Sequence, residues 1–514
     1  MLTFRAHRLL LILILAGSGL LRIFLCSAGG QYFFGDEGRY DRGVHLFRAI
    51  ARGDFPSAQA IAAMPEHSLF VWVGAATSAV QRALTIFTGQ SDWSQPENIL
   101  GSMWLAAAVL SLFSTLNLYL VYRLARTIGA GESEALWALG LMAVSNTAFY
   151  YSRHLLPYDS ALSAALAALL VGVSPLTPTR AWVCGLLGGA CYGLYNGYWY
   201  LVPTIWLAHA LACWREPWRA RLRLSLWCTG GIVVALAAPL LLGTLVAGRS
   251  YWAALLEFSG TVKQGVFAEG WSLPWEFLWH SEGAAGVAVL LALLAAGLHL
   301  SKSRDSLPDR LIVTLLTLTA AYALLVIGSN GLARFVVYGR TVKPFLPALC
   351  LLGGWAIHRL ISLRPQWTLP VIGLLLVAAL AHFTPHFGRT FPREFKLTTF
   401  AHFGTPKVAV SFSGTMIPRP NPVTRPDLAL VNAHLLYPLR APHPLPEGTT
   451  ILRAEHPMSY LPYQYEGYSP RERALIRSND ISMRVIKLAA PSSVPDAPPP
   501  SVLFGPQDFP DGRR

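Results

Sequence analysis

Residues 9–27 read LLLILILAGSGLLRIFLCS and carry a single charged side chain, Arg22. A helix of this length rises about 28 Å, which matches the hydrocarbon core of a bilayer. The chain of 514 residues is 53% hydrophobic and 13% charged, a balance foreign to soluble domains. We therefore predict an all-α polytopic membrane bundle with about eleven transmembrane helices. The other apolar cores lie near residues 100–122, 134–151, 160–174, 181–195, 198–213, 225–247, 284–300, 311–328, 345–360 and 368–384.

The first apolar stretch has two interpretations. Arg5, His7 and Arg8 precede it and small residues follow it, as in a signal peptide. Arg22 interrupts the run and no A-x-A cleavage site follows, which favours a retained first helix.

Loop charge sets the predicted orientation, because short loops rich in Lys and Arg stay in the cytoplasm. Every second loop is basic if the N-terminus is cytoplasmic. Outside then lie the loops at 28–99, 152–159, 248–283 and 329–344, together with everything beyond residue 385. The net charge of +14 is largely this topogenic charge, so we predict no nucleic-acid partner. The basic loops carry Arg123, Arg126, Arg180, Arg215, Arg219, Arg221, Arg223, Lys302, Arg304, Arg310, Arg359 and Arg364.

The C-terminal part differs in character from the bundle of residues 1–385. Residues 386–490 alternate strand-like runs with Pro-rich turns and predict a small α/β or β-rich extracytoplasmic domain. Residues 491–514 are rich in Pro and Ser and predict a disordered tail. The strand-like runs are 407–412, 428–432, 449–452 and 483–488.

Familiar nucleotide and redox motifs are missing from the sequence. All six Cys lie in apolar segments, so neither a disulfide framework nor a Cys-based metal site is implied. No Walker A signature is found, and no G-x-G-x-x-G stands between a strand and a helix. ATP-driven and dinucleotide chemistry are therefore disfavoured.

An acidic pair, Asp36 and Glu37, opens the first predicted external loop in the stretch FFGDEGRY, residues 33–40. Two carboxylates at the mouth of a helix bundle suggest chemistry at the membrane surface, although acids beside a membrane are commonly just solvated. His67 is a possible metal ligand together with Glu37, but no fixed spacing links the two residues.

Cations crowd a second external loop, against the positive-inside pattern. Arg334, Arg340 and Lys343 surround the start of the helix GRTVKP, residues 339–344. Arg and Lys suit phosphate oxygens, so a lipid phosphate at the outer leaflet is one candidate partner. The alternatives are anchoring to lipid headgroups, or an ion pair with a loop acid. The loop acids are Glu257, Glu269 and Glu276.

Two further external stretches carry polar residues. Asp159 follows Pro157 in the turn SRHLLPYDS, residues 152–160, where the local sequence favours a helix N-cap. The loop 248–283 holds Lys263, His280 and a group of aromatic residues between Trp271 and Trp279, a group typical of an interfacial aromatic belt.

Several of these motifs resemble the GT-C glycosyltransferases, in particular the protein O-mannosyltransferase and aminoarabinose transferase branch. Arg22, GDEGRY at 35–40 and ARGDF at 51–55 resemble the family's opening helix, acidic pair and amphipathic helix. The 152–159 turn resembles its second acidic turn, and Arg340 with Pro344 and Pro347 resembles its late Arg-Pro helix. The resemblance covers residues 10–385. The family's mid-bundle Lys-Gly turn is replaced by YNGY at 195–198, and the 386–490 domain matches nothing in the family.

The resemblance implies an inverting hexosyl- or pentosyltransferase of the bacterial inner membrane. Its donor would be a polyprenyl-phosphate sugar, and its acceptor a hydroxyl on a glycan, lipid or protein. Asp36 would be the base, while Glu37 and Asp159 would hold the acceptor or a divalent cation. The alternatives are a lipid-linked-glycan ligase, a secondary transporter and an assembly subunit. The residues predicted to bind the donor phosphate are Arg340, Lys343, Arg334, Lys263 and Arg153.

Overall fold

The structure of the chain is a computed structural model. The structure describes residues 4–27, 37–64, 67–87, 96–247, 252–253, 256, 271–303, 308–331, 337, 339–385, 428–431, 448, 450–455 and 483–487.

Sixteen α-helices are present among these residues, besides short 3-10 turns. Residues 4–173 contain α1 Phe4–Ser27, α2 Gly38–Ala51, α3 Phe55–Ala62, α4 Ser68–Phe87, α5 Pro96–Thr127, α6 Glu132–Val144, α7 Asn146–Tyr150 and α8 Tyr158–Val173. The remainder contains α9 Pro178–Leu194, α10 Leu201–Ala212, α11 Trp218–Ala247, α12 Leu273–Ser303, α13 Asp309–Gly331, α14 Gly339–Val342, α15 Leu346–Leu363 and α16 Thr368–Pro385.

Every predicted apolar core coincides with helix, and the chain is a helical membrane protein. Within the part of the chain that the structure describes, five segments are long and apolar enough to cross a bilayer. Three shorter helical segments are also apolar, while the count of eleven spans stays a prediction. The five are Arg5–Cys26, Leu105–Thr127, Trp218–Leu245, Asp309–Ser329 and Gly339–Leu363; the shorter ones are Tyr158–Val173, Gly286–Ser301 and Pro365–Ala381.

The predicted external loop 28–99 is wrong as a loop over much of its length, because α2, α3 and α4 lie within it. The Asp54 carboxylate caps α3 by accepting the Ser57 N–H at 3.2 Å. The apolar run of α4 is interrupted by polar side chains that are nevertheless buried, such as Ser78 and Gln81. Because these polar side chains interrupt the apolar run, the sequence did not predict α4 as an apolar helix.

A carboxylate inside the bundle stabilises the break between α6 and α7. Glu282, on α12, accepts the Ser145 hydroxyl at 2.9 Å and the backbone N–H groups of Asn146 and Thr147 at 3.1 and 3.0 Å. Its neighbour Gly283 has φ 49° and ψ −129°, which kinks α12. The predicted core 134–151 is therefore two helices rather than one. Glu282 accepts hydrogen bonds from N–H groups at the start of α7, which have no acceptor within that helix.

Ion pairs bring several basic loops together at one end of the bundle. Arg310 contacts Glu134 at 2.9 Å, and Arg215 pairs with Asp309. His7, near the start of α1, bonds to Ser133 at 2.9 Å. The N-terminus of α1 and three of the predicted cytoplasmic loops thus share this basic end.

The C-terminal region contains a three-stranded antiparallel sheet in the order β1-β3-β2. The strands are β1 Leu428–Val431, β2 Thr450–Glu455 and β3 Met483–Lys487. They coincide with three of the four predicted strands; the run 407–412 lies outside the described residues. Leu430 pairs with Val485, and Ala454 with Arg484.

Close packing of α9 against α11 depends on a glycine. A Cβ at Gly185 would overlap the carbonyl oxygen of Cys228 and lie 2.9 Å from the Ile232 nitrogen. We expect Gly185→Ala to cost about 1–3 kcal/mol, because backbone must move. Gly140→Ala is the matched control, since nothing lies within 4 Å of its Cβ. Thermal unfolding in detergent tests this pair, and equal melting temperatures would contradict the packing described.

Candidate functional site

A buried ion pair joins the beginnings of two helices. Lys343 Nζ lies 2.8 Å from Asp159 Oδ1, with side-chain exposures of 0% and 8%. Asn117 on α5 donates to the same carboxylate oxygen at 3.2 Å and accepts the Ser163 hydroxyl at 2.7 Å. The predicted N-cap role of Asp159 is wrong: the N-cap residue of α8 is Pro157, and Asp159 stands in the first turn. The tertiary contact with Lys343 outweighs the local preference.

Glu37 is fully buried and engaged through both oxygens. Its Oε1 accepts the Leu155 N–H at 2.8 Å, and its Oε2 lies 3.2 Å from His154 Nδ1. These bonds attach the start of α2 to the turn before α8. Buried charges are retained when their hydrogen bonds are satisfied, which describes this carboxylate.

The two basic residues of that turn are also buried. Burial lowers the pKa of His154, an effect that the neighbouring Glu37 opposes. Burial lowers the pKa of Arg153 to about 10, which leaves the guanidinium charged at neutral pH. Arg153 also lies over the Tyr150 ring, 6.0 Å from its centroid.

A further buried guanidinium stands behind this turn, on α1. Arg22 donates to Ser114 at 3.0 Å, lies 4.4 Å from the centroid of the Phe149 ring and interacts electrostatically with Asp159 and Lys343. Ser114 lies one turn before Asn117 on α5, so α5 links Arg22 to the Asp159–Lys343 pair.

Arg340 is held beside the ion pair by tyrosines. Its guanidinium donates to the Tyr158 hydroxyl at 2.7 Å, and its carbonyl accepts from Tyr198 at 3.2 Å. Tyr200 donates to the next carbonyl, that of Thr341, at 2.5 Å. The turn between α9 and α10 therefore fixes the backbone that presents Arg340.

Aromatic contacts make the cluster continuous. Tyr158 packs edge-on against Tyr151 at 5.2 Å and against Tyr195 at 4.8 Å, and Lys343 lies 5.4 Å from the Tyr151 ring centroid. All three tyrosines are buried. The acids and cations just described belong to a single network at one end of the bundle.

His67 lies at the edge of this network in a reciprocal clasp with Asn196. The backbone N–H of His67 donates to Asn196 Oδ1 at 2.9 Å, and the Asn196 N–H donates to His67 Nδ1 at 3.2 Å. The imidazole stacks on Tyr195 with centroids 5.2 Å apart. Burial lowers the pKa of His67 well below its ordinary value, and Arg39 and Arg42 lower it further.

The structure thus brings together Glu37, Arg153, Asp159, Arg340 and Lys343 from the predicted site, with His67 at its edge. Asp36, Arg334 and Lys263 lie outside the described residues. Over the part of the chain that is described, no three His, Cys, Asp or Glu side chains are placed to hold a metal ion. The His67 tautomer has a proton on Nε2 and offers no lone pair there, and both Glu37 oxygens are occupied.

Sequence reasoning missed the partners of the charged residues. Asn117, Tyr158, Tyr198 and Tyr200 had no predicted role, although each bonds to a site residue. The stretch YNGYWY at 195–200 was a usable signal, because four large polar aromatics in six positions of an apolar chain need hydrogen-bond partners.

Comparisons with known proteins find only remote likeness. No protein-family model matches the chain, and no curated protein matches it. One solved structure with some similarity is the archaeal oligosaccharyltransferase AglB from Archaeoglobus fulgidus, in complex with an inhibitory peptide and a dolichol-phosphate. The identity is 13% and the TM-score 0.36, over 64% of this chain and 48% of that one. The chain spans about half the length of this neighbour, and likeness of this degree does not establish a shared fold or activity.

Proposed function

We propose that the chain is an inverting glycosyltransferase that moves a sugar from a polyprenyl phosphate to an acceptor hydroxyl at the outer membrane face. The observation that carries the proposal is the buried network in which Glu37, Asp159, Arg340 and Lys343 meet at one end of an apolar bundle. A transporter would place such residues near the bilayer midplane instead. Arg22, Glu37, Asp159 and Arg340, which come from motifs that resemble the GT-C family, belong to this network.

The reaction breaks the bond between the anomeric carbon and the phosphate oxygen, and the bonding electrons leave with the phosphate. Negative charge then grows on the phosphate, so a fixed cation lowers the barrier. Arg340 suits this task because a guanidinium is a permanent cation and the Tyr158 hydroxyl holds it in place. Lys343 faces the Asp159 carboxylate.

The acceptor oxygen attacks the opposite face of the anomeric carbon, which inverts its configuration, and its proton passes to a carboxylate. Glu37 has both oxygens occupied by His154 and Leu155. We therefore assign the proton to Asp36, the preceding residue, and assign Glu37 to positioning. The buried hydrogen bonds of Glu37 hold the start of α2 against the turn before α8.

Removing the cation is expected to slow release of the lipid phosphate. Arg340→Ala should lower donor turnover by roughly 10²–10³-fold, as loss of one charge-stabilising donor does elsewhere. Arg340→Lys should retain part of the activity. Arg215→Ala is the matched control, since Arg215 is an exposed arginine at the basic end of the bundle. Equal turnover by the Arg340→Ala and Arg215→Ala variants would show that Arg340 does not stabilise the leaving phosphate.

Orientation can be tested separately. All six native Cys are buried, so a cysteine introduced at Gly467 gives a readable signal. It should react with an impermeant thiol reagent added outside intact cells or spheroplasts, whereas Glu216→Cys, at an exposed position in a basic loop, should react only after lysis. The reverse pattern would place the proposed site in the cytoplasm.

A further inference from the structure

His67 presents a buried hydrogen-bond donor that the proposed reaction does not use. The Asn196 N–H occupies Nδ1 as an acceptor, so the proton of the neutral imidazole sits on Nε2. Nε2 is buried and makes no hydrogen bond to any residue that the structure describes. A buried donor without a partner costs about 1–3 kcal/mol, so its retention calls for a ligand.

The ring is fixed rather than loosely placed. The clasp with Asn196 and the stacking on Tyr195 hold it from two sides, and the residue is 3% exposed. The His67 backbone has φ 49°, in the left-handed region that a non-glycine residue rarely adopts. Such strain at a histidine is typical of a functional position.

The surroundings favour an anionic or strongly polar oxygen. Arg39 and Arg42 are half-buried on α2, which packs against α4, the helix that begins directly after His67. Burial keeps the imidazole neutral, and the positive charge of the two arginines adds to this effect, so the ring remains a donor of one proton. Two guanidinium groups and an N–H donor match phosphate or carboxylate oxygens.

We propose that His67, Arg39 and Arg42 form an oxyanion subsite, adjacent to the Arg340–Lys343 cluster, in which His67 Nε2 donates to a phosphate oxygen. Two ring contacts, His67–Tyr195 and Tyr195–Tyr158, separate it from the tyrosine that holds Arg340. The inference deepens the proposed function, since the phosphate of the lipid donor is the ligand expected first. Free phosphate has the same chemistry.

Two substitutions at one position isolate the donor. His67→Asn places an acceptor oxygen near Nδ1 and tolerates positive φ, but has nothing at Nε2. His67→Gln places an amide N–H near Nε2 and gives up the Nδ1 acceptor. Both lose the ring, so a difference between them does not come from the stacking. Because His67→Gln also lacks the Nδ1 acceptor, tighter phosphate binding by His67→Gln than by His67→Asn is the result that reports the donor.

Binding is measured with the full purified chain in nanodiscs, using polyprenyl phosphate, uncharged polyprenol and inorganic phosphate as probes. We expect His67→Asn to bind polyprenyl phosphate roughly 10- to 100-fold more weakly, with polyprenol binding unchanged and His67→Gln near wild type. If His67→Asn weakens the binding of inorganic phosphate but not that of polyprenyl phosphate, the subsite binds a free anion.

The proposed subsite is contradicted if His67→Asn binds polyprenyl phosphate and inorganic phosphate with the same affinities as the wild type. It is also contradicted if His67→Asn and His67→Gln weaken phosphate binding to the same extent. If His67→Asn does not fold, Arg42→Gln serves instead, and unchanged phosphate affinity there counts against the proposal. These measurements need no sugar transfer. A protein that binds polyprenyl phosphate through His67 but never transfers sugar would retain the subsite and lose the proposed function.

Discussion

Asp36→Asn is expected to reduce sugar transfer by about 10²–10⁴-fold, the contribution that general-base catalysis typically makes. Asparagine keeps the size and the hydrogen-bonding reach of the side chain but takes up no proton. Binding of the lipid donor should survive, because the proposed phosphate contacts belong to other residues. Initial rates of transfer and the affinity for polyprenyl phosphate separate the two effects.

Glu37→Gln is the matched variant for this experiment. Its amide retains an oxygen for the Leu155 N–H but loses the charge beside His154, so we expect lower stability and a milder loss of transfer. If the two phenotypes are exchanged, Glu37 is the base. If both variants keep most of their transfer activity, the acidic pair has no part in the chemistry.

The buried pair Lys343–Asp159 is expected to produce the largest effect on stability. Either Lys343→Met or Asp159→Asn leaves one group of the pair buried without its partner, a change that typically costs about 3–5 kcal/mol. The double variant removes both charges and should recover most of that loss. Asn117 remains available to bond the asparagine that replaces Asp159.

Denaturant or thermal unfolding of the four proteins gives the coupling free energy. The control cycle uses Arg215 and Asp309, whose side chains are 83% and 68% exposed and whose coupling should stay below about 1 kcal/mol. Additive losses at Lys343 and Asp159 would contradict the buried pair. Transfer assays on the stable double variant then show whether Lys343 also serves the donor phosphate.

The helices of the bundle were predictable because a bilayer demands long apolar stretches, and such stretches are visible in sequence. Helix α4 was not predicted, since Ser78 and Gln81 are buried in it by tertiary packing and look exposed in the sequence. The break at Ser145 depends on Glu282, which is more than one hundred residues away along the chain. Local patterns carry no information about such a partner.

In the candidate site, too, local sequence did not reveal which residues contact each other. The charged residues were visible in the sequence, because only 13% of the chain is charged and the external cations depart from the positive-inside pattern. Their pairing was not: Asp159 suited a local helix cap, yet it contacts Lys343 from a distant helix. Glu276, one of the loop acids considered as an alternative partner of the external cations, accepts the Ser272 hydroxyl at 2.6 Å.

The most direct test of glycosyl transfer is a reaction with the purified chain in nanodiscs and a donor that carries a labelled sugar on polyprenyl phosphate. We predict that label moves to acceptor in extracted membranes while polyprenyl phosphate accumulates in equal amount, and that Asp36→Asn prevents both. Transfer of a whole oligosaccharide from a polyprenyl carrier, with no transfer of the single labelled sugar, would indicate a ligase. Binding of the donor with neither transfer nor release of polyprenyl phosphate would contradict the proposed function.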